Sequence, residues 1–191
     1  KSGINDRKNH AELERRVRDL ISKAAAAGAP NLIIMAGDRA GISDEEGQDN
    51  CVAFLNKVKA MAEDHKVTLC MELLNSKVDH PGYMCDRTAW GVEVCKRVNS
   101  PRVKLLYDIY HMQIMEGDII RTIRQNIQHI GHFHTAGNPG RHEFDETQEL
   151  YYPAICRAIA DLGFDGFLSH EYTPTKEPLQ TLDRMMKLCE V

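Results

Sequence analysis

Four residues of types that hold or move charge recur at regular intervals along the chain. They are Glu72, Asp108, His134 and Glu171, separated by 36, 26 and 37 residues. Each closes a short apolar segment, and each interval is about the length of one strand–helix unit. In a parallel α/β sheet or barrel the carboxyl ends of all strands point to the same side, so this spacing brings four ligand-type side chains to one rim. Three carboxylates gathered there cannot all stay ionised without a cation, because mutual repulsion raises at least one pKa. A divalent metal removes the conflict, leaving one net negative charge on a set of three carboxylates and a neutral imidazole. Oxygen-rich ligation with one nitrogen suits Mn²⁺ or Mg²⁺, with Co²⁺ able to substitute.

The elements that must position these residues follow from hydrophobic periodicity. Leu13, Val17, Leu20, Ile21 and Ala24 form a helical stripe that ends at Gly28 and Pro30. A short apolar run at 31–37 reads as a buried strand. The alternation then recurs: a helix marked by Val52, Leu55, Val58, Met61 and Ala62, then a strand over 67–73. A helix from about Asp86 to Val98 precedes a strand over 103–108, and a shorter helix over 117–126 precedes a strand over 129–134. A helix over 151–162, a strand over 167–171 and a helix over 176–189 complete the pattern. Five strands, each followed by a helix across short connections, predict successive βαβ units and a parallel sheet in a single α/β domain spanning 1–191. The strand period of two puts Thr68, Cys70 and Glu72 on one face, with Leu106 and Asp108, His132 and His134, and Ser169 and Glu171. This polar column is expected to face a barrel interior, and Leu69, Met71, Tyr107 and Phe133 the helices.

Loops add His111, three residues after Asp108, and Arg141, in a glycine-rich turn after His134. Lys77 follows Glu72 closely. His10, His65 and His129 read as surface residues, and Trp90, Met61 and the valine stripe as core.

Composition narrows the classes further. The 191 residues are 42% hydrophobic and 27% charged, with 24 Lys and Arg against 28 Asp and Glu for a net charge of −4. The acidic balance and the lack of a basic cluster argue against nucleic acid as a partner, and no apolar run approaches the roughly 20 residues of a membrane span. The expected partner is a small-molecule substrate, with a homo-oligomer left open. None of the six cysteines stands at C-x-x-C spacing, which favours a reducing, cytoplasmic setting over a zinc ribbon or disulfide framework.

The segments around these residues resemble a known family. Glu72-Leu73-Leu74-Asn75-Ser76-Lys77, continuing to Met84, is similar to the Glu-x-x-Asn segment of hydroxypyruvate isomerases. Tyr107-Asp108-Ile109-Tyr110-His111-Met112-Gln113 resembles their Asp-x-x-His segment. Gly131-His132-Phe133-His134, running on to Asn138-Pro139-Gly140-Arg141-His142, and His170-Glu171-Tyr172 complete the set. The chain is thereby identified with the xylose-isomerase-like TIM-barrel superfamily, which also holds ketose 3-epimerases and endonuclease IV. The resemblance implies that Glu72, Asp108, His134 and Glu171 are metal ligands, that Glu72 and Glu171 are also the acid/base pair, and that His111 and Arg141 bind substrate oxygens. Two departures bear on the reaction. His134 stands where hydroxypyruvate isomerases often carry Gln, as in the sugar epimerases, and the loop 144–151 lacks their Pro-Gly-x-Gly.

The implied chemistry is metal-assisted aldose–ketose isomerisation through an enediolate, with hydroxypyruvate to tartronate semialdehyde as the reaction and ketose 3-epimerisation as its alternative. A 2-oxo acid adds negative charge that Arg141, and Lys77 with it, can offset. Two other classes stay open: an endonuclease IV-like phosphodiesterase, which needs further His and acidic ligands and a basic surface, and a non-catalytic metabolite-binding remnant. A (β/α)₈ barrel takes about 250 residues, so the five units read as the last five of an N-terminally incomplete barrel. The expectations that follow are exposed sheet edges, weak metal binding and little turnover for this chain alone.

Overall fold

A computed structural model describes residues 3–191. Its sheet contains β1 (Asn31–Ile34), β2 (Thr68–Glu72), β3 (Val103–Asp108), β4 (Ile130–Thr135) and β5 (Phe167–His170) in sequence order, every neighbouring pair parallel. The helices among the described residues are α1 (His10–Ala26), α2 (Asp44–Asp64), α3 (Thr88–Val98), α4 (Ile109–Met115), α5 (Ile119–Asn126), α6 (Tyr152–Asp161) and α7 (Pro178–Cys189). None of them is long and apolar enough to cross a membrane.

The sheet is strongly curled. Asn31 on β1 donates from Nδ2 to His132 Nδ1 on β4 at 3.1 Å, yet in a flat sheet strands three places apart lie about 14 Å from each other, at roughly 4.8 Å per strand. Curling splits the side chains into the two sets that strand alternation predicts. Leu69, Met71, Leu105, Tyr107 and Phe133 are fully buried in the apolar layer shared with the helices, while Glu72, Asp108, His132 and His134 lie on the concave side. The result is five consecutive βα units of a TIM barrel. The concave lining is tight at Gly131, beside a register shift between Leu105 and Leu106. A Cβ there would meet Lys104 Cβ at 2.9 Å and Cys70 Sγ at 3.2 Å.

Several local expectations are extended or corrected. The second helix holds all five of the residues that mark it, Val52 to Ala62, and starts at Asp44, where Ser43 Oγ accepts the Glu46 N–H at 3.1 Å, a cap its Ser-x-x-Glu spacing encodes. Helix α4, absent from the periodicity reading, follows β3 with no connecting residue between Asp108 and Ile109. His10 is buried rather than at the surface, its Nε2 2.8 Å from the Ile4 carbonyl and its ring against Phe54. The connections 73–87 and 136–151, after β2 and β4, are long rather than short. Both leave the carboxyl ends of strands, the end at which such barrels carry their functional loops.

Candidate metal centre and active site

Each strand end delivers its polar residue to the same spot. Glu72 is the last residue of β2 and Asp108 the last of β3, where it is in register with His134 on β4. Glu171 stands one residue beyond β5, held in line because its N–H donates to the Thr135 carbonyl at 3.0 Å. One ligand-type atom from each of the four residues lies within 4.8 Å of all the others. Opposite donors around an octahedral ion with 2.0–2.1 Å bonds stand about 4.2 Å apart, so a single cation fits between them.

The unpaired atoms point the same way. Asp108 Oδ2 and His134 Nδ1 are buried without a hydrogen-bond partner. The His134 nitrogen lies 3.0 Å from Glu171 Oε2 and 3.3 Å from Glu72 Oε1, contacts without hydrogen-bond geometry. Buried orphans of this kind are costly unless something binds them. Burial pushes the Asp108 carboxyl up to about 7, against the opposing effects of the His111 N–H and of Arg141. Burial alone would keep His134 neutral, but the carboxylates of Glu171 and Glu72 outweigh it and raise the imidazole to about 9. The imidazole in turn, then Arg141, holds Glu171 down at about 2 despite partial burial. Without a cation, His134 is therefore the positive charge at the centre of three carboxylates. The donor set of three carboxylates and one imidazole matches a hard divalent ion.

Two further residues complete the rim. The Arg141 guanidinium donates to Glu171 Oε2 at 2.6 Å, lies 3.8 Å from Asp108 Oδ2 and sits over the Tyr110 ring at 5.5 Å. Arg141 adopts φ +59°, a left-handed conformation that costs a non-glycine residue roughly 1–2 kcal/mol. Its N–H donates to Gly137 O and its carbonyl accepts from Thr173 N, at 2.9 and 2.8 Å. The turn that imposes this conformation thus aims the guanidinium inward. His111 is fully buried, its Nε2 3.8 Å from Asp108 Oδ2; burial, then the charge of Arg141, lowers its pKa to about 3, so the ring is neutral. Lys77 is not brought to this cluster: its ammonium donates to the carbonyls of Ile114 and Met115 at 2.9 and 3.2 Å, capping the end of α4.

The structure adds neighbours to which the sequence reading gave no role. Asn75, Asp79 and Tyr110 form a hydrogen-bonded set behind His111. Their sequence signal is an Asn four residues before an Asp that leads into Pro81-Gly82, a spacing at which Asn folds a turn around its own side chain.

Comparison with known proteins agrees with this fold. The family model for the xylose isomerase-like TIM barrel matches residues 2–189. The 2-oxo-tetronate isomerase of Cupriavidus necator is 41% identical over 108 residues, covering 56% of this chain and 41% of that protein. The hydroxypyruvate isomerase of Escherichia coli is 32% identical over 155 residues, covering 81% of this chain and 59% of that protein. The chain thus spans about two fifths to three fifths of the length of these relatives. A solved structure described as an AP endonuclease, family 2, from Brucella melitensis superposes with a TM-score of 0.88 at 28% identity, covering 96% of this chain and 70% of that one.

Proposed function

The chain belongs to the xylose isomerase-like TIM-barrel family, and from that premise we propose that it is a divalent-metal-dependent aldose–ketose isomerase acting on a small 2-oxo acid, with hydroxypyruvate as the representative substrate. The observation that carries the proposal is the convergence of donor atoms from Glu72, Asp108, His134 and Glu171 within 4.8 Å, with Arg141 and His111 on the rim. Its relatives in Cupriavidus necator and Escherichia coli, named isomerases of 2-oxo-tetronate and hydroxypyruvate, support the same reaction class.

Held by those four residues, a divalent ion, Mn²⁺ or Mg²⁺ by its donor chemistry with Co²⁺ as a substitute, supplies Lewis-acid stabilisation of negative charge on the substrate oxygens. The protein's side chains do the rest. One of Glu72 and Glu171 takes a proton from carbon 3 of hydroxypyruvate, giving an enediolate. The other returns a proton at carbon 2, while the hydroxyl proton passes from the oxygen on carbon 3 to that on carbon 2; the product is tartronate semialdehyde. Arg141, which donates to Glu171 Oε2 at 2.6 Å, favours the ionised form of that carboxylate, the form that takes a proton. A neutral His111 donates a hydrogen bond to a substrate oxygen. Arg141 offsets the carboxylate: three ligand carboxylates and a divalent ion leave one negative charge, and a 2-oxo acid adds another. A neutral ketose makes no such demand, which is why the acid is favoured. Free thiols at all six cysteines suit a reducing, cytoplasmic setting.

The test is incubation of the purified full-length protein with Mn²⁺ or Mg²⁺ in D₂O, with hydroxypyruvate, a four-carbon 2-oxo acid and a neutral ketose in parallel. Solvent deuterium should enter the hydroxypyruvate next to the carbonyl, above an enzyme-free blank, with tartronate semialdehyde as product. Exchange confined to the neutral ketose, with a 3-epimer as product, would replace the isomerase by an epimerase. No exchange on any substrate would sink both.

A further inference from the structure

Asn75 is fully buried and its amide has all four hydrogen-bonding positions assigned. Oδ1 accepts the backbone N–H groups of Val78 at 3.0 Å and Asp79 at 2.8 Å. That pair fixes which end of the amide is oxygen, because the NH₂ group cannot face two donors. Nδ2 is therefore the end that faces away from the turn, and its two hydrogens have two acceptors. One is Asp79 Oδ2 at 2.6 Å, which also accepts from Tyr110 OH at 2.8 Å. The other is His111 Nδ1, also at 2.6 Å.

An acceptor at Nδ1 leaves a neutral imidazole one place for its proton, Nε2. Nε2 is the nitrogen that faces the metal-ligand cluster; it is buried, has no hydrogen-bond partner and lies 3.8 Å from Asp108 Oδ2. We propose that Asn75 is a positioning residue that locks His111 in the Nε2–H tautomer, so that the site presents a fixed hydrogen-bond donor to a substrate oxygen. The chain of control runs from the turn 75–79 through the Asn75 amide to Nδ1, and across the ring to Nε2. The catalytic part of this inference rests on the isomerase reading; the tautomer itself does not.

The parent protein, labelled with ¹⁵N-histidine, reports the tautomer directly, with the His111 signals identified by their loss in His111→Asn. Nε2 should appear as the protonated, pyrrole-like nitrogen and Nδ1 as the bare, pyridine-like one. The decisive variant is the double exchange Asn75→Asp with Asp79→Asn. It keeps an oxygen for the two backbone N–H groups and a donor–acceptor pair between positions 75 and 79, but it turns an acceptor toward His111. His111 should then carry its proton on Nδ1, and kcat on hydroxypyruvate should fall about 10²–10³-fold, the cost of losing one oriented donor to a developing oxyanion, with a smaller change in KM. A purely structural Asn75 predicts instead that the double variant keeps both the parent tautomer and the parent kcat, and either result overturns the proposal. So does a bare Nε2 in the parent, which decides the matter even where the double variant does not fold. Failure of the isomerase reading shows separately, as absence of deuterium exchange in a parent that has the Nε2–H tautomer.

Discussion

Asp108 divides its carboxylate between two tasks in its relationship with His111. Oδ1 caps helix α4 by accepting the His111 backbone N–H at 3.0 Å, while Oδ2, unpaired and buried, faces the His111 ring nitrogen at 3.8 Å. The residue that ends β3 therefore also starts α4, and strand, helix and candidate metal site meet on a single side chain. Replacing Asp108 by Asn keeps the cap, since the amide oxygen still accepts the N–H, but removes the charge from the site. Thermal stability without metal should stay within a few degrees of the parent while Mn²⁺ affinity measured by calorimetry drops at least tenfold. Unchanged Mn²⁺ affinity would remove Asp108 from the ligand set.

Substitution at Glu171 should separate catalysis from metal binding. In Glu171→Gln the amide oxygen remains available to a cation, but the side chain no longer takes a proton. Turnover should fall about 10²–10⁴-fold, the usual worth of a positioned acid or base. Bound Mn²⁺, measured by elemental analysis at saturating metal, should remain near one per chain. Loss of metal and turnover together would make Glu171 a ligand without showing it to be a base.

The metal site should titrate. Without a cation, His134 holds its proton up to about 9 and Asp108 up to about 7, and a cation must displace those protons to bind. Mg²⁺ or Mn²⁺ affinity should therefore rise with pH between 6 and 8, by roughly tenfold per unit for each proton displaced. The metal-free protein should behave in the opposite sense. A group whose pKa is raised on folding stabilises fully below its unfolded value and loses that contribution as pH climbs through the folded value. For His134 the window runs from about 6.5 to about 9. The melting temperature without metal should fall across that interval, and saturating Mg²⁺ should flatten the decline. A metal affinity that does not change from pH 6 to 8 would contradict the assignment of His134.

Arg141 should govern the choice between acid and neutral substrates. Arg141→Ala leaves the left-handed backbone conformation to be held by the same turn, but removes the guanidinium that meets Glu171 at 2.6 Å. The kcat/KM for hydroxypyruvate should drop about 10–100-fold, as expected for a charged hydrogen bond worth 1.5–3 kcal/mol. The value for a neutral ketose, where measurable, should change much less. Equal losses on both would deny Arg141 a role in reading the carboxylate.

Gly131 tests the curl of the sheet. An added methyl would lie 2.9 Å from Lys104 Cβ and 3.2 Å from Cys70 Sγ, too close for either strand to ignore. Gly131→Ala should destabilise by about 1–3 kcal/mol, the cost of overpacking. At about 2–4 °C per kcal/mol for a chain of this size, the shift is readily seen in a melting curve. A melting temperature within about 1 °C of the parent's, no more than half of that per-kcal shift, would show that the lining gives way at this point.

The sequence by itself determined the parallel βα order and the four residues of the cluster. Period-two alternation sorted Glu72, Asp108 and His134 from Met71, Tyr107 and Phe133, because a strand has two faces and only one of them meets the helices. Regular βα spacing then placed their ends on one rim, loop position added His111 and Arg141, and the resembling motifs gave those two a role toward substrate oxygens. Spacing along a chain carries no direction for a long side chain, so Lys77, close to Glu72 in sequence, was expected at the substrate and instead caps α4 through Ile114 and Met115. Helix α4 escaped notice because its start signal, Asp108, also serves as a strand end. What only the tertiary structure decided is the orientation of each polar atom. The curl of the sheet brings Glu72 Oε1 and Glu171 Oε2 to 3.3 and 3.0 Å from His134 Nδ1, and the turn 75–79 aims one amide hydrogen of Asn75 at His111. The curl depends on contacts between residues far apart in sequence that no interval encodes; the turn at Asn75 has a local signal, but only the packing of β2 against β3 and α4 brings His111 to its free amide hydrogen.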